Sequence, residues 1–206
     1  MVLSRALCVA LFCAASPGLA ADFSDPTRPC VQRKVERLSV GLMWPNPIPD
    51  AGSLAEQDTT IRTEVARLAE KLAVRRIEVE DLRPDVAAFA ARHDGDPELL
   101  GQVFEQVFER LSKRRTRIIG GIGKFSLSQI TLSEKIEAAR QDMDSQMAKD
   151  SPDFDRVDAL EEQLDWDQLI YSDRQKSITY LCETPTLLEK RLYAIAQLLQ
   201  SEIRDG

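Results

Sequence analysis

The chain has 206 residues, of which 34 are acidic, 27 basic and one histidine, giving a formal net charge of −7 that becomes −8 if Arg5 leaves with a signal peptide. An acidic surface of this size disfavours nonspecific binding to nucleic acid and to anionic lipid. The single histidine, His93, rules out a histidine-rich metal centre, and any Ser-His-acid or Cys-His mechanism would have to use it.

Residues 1–20 have the layout of a secretory signal. Arg5 supplies the positive region, Ala6 to Ala15 an apolar run, and Ser16 to Ala20 the small residues of a cleavage region, so cleavage is expected after Ala20 or Ala21. The apolar run is about half the ~20 residues that span a bilayer as a helix. No later stretch approaches that length, and no transmembrane segment is expected after cleavage. Cys8 follows Leu7 and Cys13 follows Phe12, whereas a lipid-carrying cysteine follows a small residue; both are expected to leave with the signal. Two cysteines remain, Cys30 and Cys182, in a compartment where disulfides persist, and one bridge between them is expected. It would pin the N-terminal segment onto the C-terminal helices.

Residues 21–53 read as an extended arm. Prolines at 26, 29, 45, 47 and 49 forbid a regular helix, while Val35, Leu38, Val40, Leu42 and Trp44 alternate in part, as in a short strand or an arm lying on helices. From 54 onward the period is helical. Leu54, Ile61, Val65, Leu68 and Leu72 share one face. A second helix spans about Glu78 to Arg92, or begins near Arg83 so that Pro84 falls in its first turn. In His93-Asp94-Gly95-Asp96-Pro97, Gly95 closes one helix in the left-handed conformation, Asp96 caps the next and Pro97 takes its first position.

The next helix is expected to be very long. Leu100, Val103, Val107 and Leu111 open a stripe that Ile118, Ile122, Phe125, Gln129, Leu132, Ile136, Ala139 and Met143 continue at spacings of four and three, as in a coiled coil. An unbroken helix to Lys149 would be about 80 Å long. Asp150-Ser151-Pro152-Asp153 is a turn, after which Val157, Leu160, Leu164, Asp167, Tyr171, Arg174, Ile178 and Leu181 repeat the stripe. A short turn makes the two helices antiparallel neighbours. Pro185 is expected to break the return arm, leaving a last helix over Thr186 to Ile203. The fold class is therefore all-α, with an antiparallel, coiled-coil-like hairpin over about 97–182 inside a helical domain of 54–206, and a Pro-rich N-terminal arm.

Four groups of residues invite a chemical reading. Gly120-Gly121-Ile122-Gly123-Lys124 resembles a phosphate loop only in part: a P-loop has Gly where Ile118 stands and Ser or Thr where Phe125 stands. A kink or a close helix crossing explains these glycines better. Lys113-Arg114-Arg115-Thr116-Arg117 is a basic cluster, read as a solvated face. Asp142, Asp144, Asp150, Asp153, Asp155 and Asp158 gather at the hairpin tip without the spacing of a calcium loop. Glu161, Glu162 and Asp165 beside Trp166 are the candidate pair for carboxylate chemistry, on an exposed side of the helix. His93 reads as a helix-end residue.

No cofactor, metal or catalytic set is expected. The reading is an exported, periplasmic adaptor or scaffold that is not an enzyme, meeting an envelope protein or a second copy of itself through the hairpin. The alternative is an exported module binding a small ligand or peptide, lined by Trp44, Phe89, Phe104 and Phe108. A carboxylate-dependent hydrolase is the third reading.

Overall fold

The computed structural model describes residues 25–32, 35–49 and 58–204. The expected signal and Leu54 lie outside these residues. The fold is all-α, and among the described residues there is no strand.

Helix α1 spans Thr59–Leu72; the Asp58 carboxylate accepts from the Thr60 amide at 2.7 Å and so caps it. A 3-10 turn over Glu80–Leu82 leads into α2, Arg83–Arg92, with Pro84 in the first turn, as the later of the two expected starts requires. The α2 to α3 turn follows the sequence. Asp94 and Gly95 take positive φ, of 53° and 68°, and Asp96 caps α3, Pro97–Met147, by accepting from the amides of Glu98 and Leu99. A side chain at Gly95 would also meet the Glu202 carbonyl at 2.7 Å, because the Arg204 amide donates to the Gly95 carbonyl and holds the C-terminus over the turn. Gly95→Ala should therefore lower stability by about 1–3 kcal/mol, through strain at positive φ and displacement of the C-terminal segment. A thermal melt checks this; an unchanged midpoint would show that the turn relaxes freely.

Helix α3 has 51 residues and α4, Phe154–Gln200, has 47, so each is about 70–77 Å long at ~1.5 Å per residue. They pack antiparallel around the turn at 148–153. Every predicted stripe position of α3 from Ile118 to Met143 is buried or half-buried, and so is every one of α4 from Val157 to Leu181. The two stripes cover each other.

Pro185 does not end the return arm. Helix α4 runs through it, and the hairpin continues to Gln200 instead of stopping near 182. Proline removes one helix hydrogen bond and crowds the preceding turn, at a cost of about 3 kcal/mol. That cost is offset by the surroundings: Pro185 is buried, with the Cys182 bridge one turn before it and Leu188 and Leu192, both fully buried, after it. The Thr184 hydroxyl donates to the Tyr180 carbonyl at 2.8 Å beside the interruption.

The core is unevenly distributed along this rod. At the base, α1, α2, the first four turns of α3 and the last four of α4 enclose one large cluster that includes Leu72, Phe89, Leu100, Phe104, Leu192 and Leu199. Burying each such side chain contributes about 1.5–3 kcal/mol. Higher up, the described residues form two small clusters, Cys30 with Ile122 and Cys182, and then Ile136, Ala139, Leu160 and Leu164 near the tip. The molecule is thus a four-helix base continued as a two-helix stalk.

Candidate interaction surfaces

The N-terminal arm runs along α3 from mid-stalk to base. Its start is tied down by the Cys30–Cys182 disulfide, with Cα atoms 5.4 Å apart, the pairing expected from the cysteine count. The Ser126 hydroxyl donates to the Pro26 carbonyl, and the Thr27 carbonyl lies 3.5 Å from where a Cβ at Gly123 would stand. The close approach at the glycine motif is therefore made by the arm and not by a crossing helix. Further on, a 3-10 turn over Val40–Leu42 brings Trp44 into the base, where it stacks on Phe104 with ring centroids 5.2 Å apart. Trp44 also rests on the bare backbone of Gly101, whose Cβ would lie 3.3 Å from the indole Nε1.

Arg115 corrects the reading of the basic cluster as a solvated face. Its side chain is 3 % exposed, donates from Nε to Glu189 at 2.7 Å and from Nη1 to the Glu36 carbonyl at 3.4 Å, and so joins α3, α4 and the arm. Lys113, Arg114 and Arg117 are exposed, as predicted for the rest of the cluster. Helix periodicity sends position 115 inward and its neighbours outward.

Two clefts open between the arm and α3. The larger, about 950 Å³, is lined by Leu38, Val40 and Phe108 together with Arg37, Glu105, Glu109, Arg110 and Lys113. The smaller, about 390 Å³, adjoins it and is floored by Gly120 and Gly123 between Thr116, Ile122, Thr27, Arg28 and Arg37. Burial, and then repulsion from Arg115, lowers the Arg28 pKa, and Glu36 lines the same groove beside Arg28 and Arg37. Nothing lies within 4 Å of a Cβ placed at Gly120 or Gly121. These two glycines each cost the helix about 1 kcal/mol relative to alanine, and no contact among the described residues requires them.

Of the aromatics proposed as ligand lining, Trp44, Phe89 and Phe104 are buried in the base, and only Phe108 reaches a cleft. His93 is the residue that follows α2. It meets Glu64 at 2.9 Å and packs against Phe89, and the hydrogen bond from His93 followed by that from Arg92 lowers the Glu64 pKa. At the tip, Asp153 caps α4, and Arg156 reaches back to Asp142 at 2.6 Å. That hydrogen bond is the largest cause of a lowered Asp142 pKa. Among the described residues no group of acidic, histidine or cysteine side chains is arranged to hold a metal ion.

Glu161, Glu162 and Asp165 stand with Asp158 around Trp166 and Leu169 on an open shelf of α4. Trp166 is 60 % exposed and Leu169 54 %, and Ile170 continues the patch at 40 %. Isolated exposed apolar residues are ordinary, but three within one helical turn and a half, on a helix whose opposite face is already packed, form a surface. The four carboxylates around it make no ion pair with any described residue.

The chain matches no family model, no curated protein and no solved structure. Its surfaces must be read on their own chemistry. The Trp166 patch was latent in the sequence: once the buried stripe from Val157 to Leu181 is taken out, Trp166, Leu169 and Ile170 are the large apolar residues left close together on that stretch of helix, with Tyr180 apart from them. The Arg115–Glu189 pair, 74 positions apart, left no such trace.

Proposed function

We propose that the chain is an exported, periplasmic adaptor or scaffold protein without catalytic activity, which presents the outer face of its stalk to a protein partner. The observation that carries this is the Trp166, Leu169 and Ile170 patch. The stalk's internal stripe is covered by its own hairpin, so it explains no partner, whereas this patch is exposed, apolar and distant from the base core. Export is supported by the layout of residues 1–20 and by the disulfide, which a reducing compartment would not preserve. No helix among the described residues is long and apolar enough to cross a membrane.

The experiment is photo-crosslinking in the cell envelope from position 169, with position 94 on the base as control. Crosslinks to a reproducible protein from 169 and none from 94 are the expected result. Equal yields, or none from either site, would overturn the reading.

A second reading is favoured by one observation, the cleft of about 950 Å³ whose apolar floor is Leu38, Val40 and Phe108. It has the size of a small-molecule site. A bound molecule released from the purified chain by denaturation, and absent from a Phe108→Glu variant, would favour it.

A further inference from the structure

The stalk carries two features that its own packing leaves unused, and they match each other. On α4, Trp166 projects beside Leu169, flanked by Glu162 and Asp165, with no ion pair made by either carboxylate among the described residues. On α3, the groove of about 390 Å³ over Gly120 is open, and Arg117 and Lys124, one turn to either side of the glycines, are exposed and likewise carry no ion pair among the described residues. One surface is an aromatic knob in an acidic rim. The other is a hollow lined by Arg28, Glu36 and Arg37, with Arg117 and Lys124 exposed beside it on the same helix.

The positions also agree in register. When two helices pack antiparallel, a contact that sets Trp166 on Gly120 places the residue four before it, Glu162, opposite the residue four after Gly120, Lys124. Helix periodicity puts Arg117, Gly120, Gly121 and Lys124 on one side of α3, away from the seam where Ile118 and Ile122 meet α4. A helix interior that gives up propensity at two adjacent positions with no contact there among the described residues is explained if another chain needs the bare backbone.

We infer that the occupant of each surface is a second copy of this chain: Trp166 of one copy seats over Gly120 of the next, with Glu162 against Lys124. This rests on the interaction reading above and names its partner. Charge complementarity argues for this occupant, since the acidic rim repels anionic lipid and nucleic acid and Arg117 and Lys124 form an exposed basic stripe of matching spacing on this chain. Knob and hollow lie on different helices, each turned away from the seam, so the contact is heterologous. Copies then add head to tail, and each added copy leaves one knob and one hollow free.

The test uses the oxidised full chain and two variants, Trp166→Ala and Gly120→Leu, both at exposed positions and both checked by circular dichroism for an unchanged fold. In sedimentation velocity the unaltered chain should give a mass that rises with concentration and falls as salt is added, because the rim charges are solvent-exposed. Each variant alone should be monomeric. Mixed, they should form a one-to-one dimer and nothing larger, since the Gly120→Leu chain keeps its knob and the Trp166→Ala chain keeps its hollow. An unaltered chain that stays monomeric, variants that assemble as it does, or a mixture that forms no dimer would each overturn the proposal. A monomeric chain that still crosslinks from position 169 to a different envelope protein would overturn self-assembly alone and leave the interaction reading standing; no crosslink at all would remove both.

Discussion

Serine at both Cys30 and Cys182 should lower the free energy of unfolding by up to roughly 5 kcal/mol, the chain-entropy value for a bridge that closes so long a loop. The separation of 152 residues takes in nearly all of the helical structure, so the unfolded chain gains a large freedom when the bridge is absent. Little native packing depends on the bridge itself. The cluster that contains it holds Ile122 as its one other buried member, and the arm is also held by Ser126 on the tip side and by Arg115, Gln200 and the burial of Trp44 on the base side. Urea titration of the oxidised chain against the serine variant measures the difference. Trp44, buried and stacked on Phe104, reports separately on the arm: in a Trp166→Phe background its emission should stay blue until the base unfolds. A red-shifted native state would mean that the arm depends on the bridge for its seat. A loss below about 1 kcal/mol would mean that the unfolded chain is compact enough to keep the ends together without it.

The second large effect concerns Arg115 and Glu189, and it should be asymmetric. Glu189→Ala leaves a guanidinium 3 % exposed whose one remaining partner among the described residues is the Glu36 carbonyl at 3.4 Å, and removing one partner of a buried pair costs about 3–5 kcal/mol. Arg115→Met keeps most of the apolar volume and leaves Glu189, 33 % exposed, free to turn to water. The expected loss there is about 1 kcal/mol, near the net value of an ordinary hydrogen bond. Denaturant unfolding of both variants gives the comparison directly. Equal losses would show that the desolvated guanidinium is not what makes the pair costly to break. Because the pair sits where base becomes stalk, Glu189→Ala should also loosen the arm, and the Trp44 emission would register it.

Much of this architecture is legible without coordinates. Local rules set the punctuation: the caps at Asp96 and Asp153, the left-handed Gly95 and the tight turn at 148–153 depend on neighbours within four residues. The stalk was legible for a related reason. A spacing of four and three sustained from Ile118 to Met143 and again from Val157 to Leu181 needs a partner stripe, and a short turn supplies it from the same chain. The all-α class and the hairpin are therefore properties of the sequence by itself.

The tertiary structure decided three things that no local rule contains. Pro185 stays inside a helix because contacts from the disulfide and from the base outweigh its local cost, a sum that can be taken only when both sides are in place. Arg115 is buried because Glu189 and the Glu36 carbonyl arrive from segments 74 and 79 residues away to satisfy it, whereas its sequence neighbours all favour solvent. Gly120 and Gly121 could have marked a kink or a crossing, and only the path of the arm, which touches Gly123 and leaves the other two bare, shows them as open surface. Sequence periodicity states which faces must be covered. What covers them, and which face is left for another molecule, follows from where distant segments come to rest.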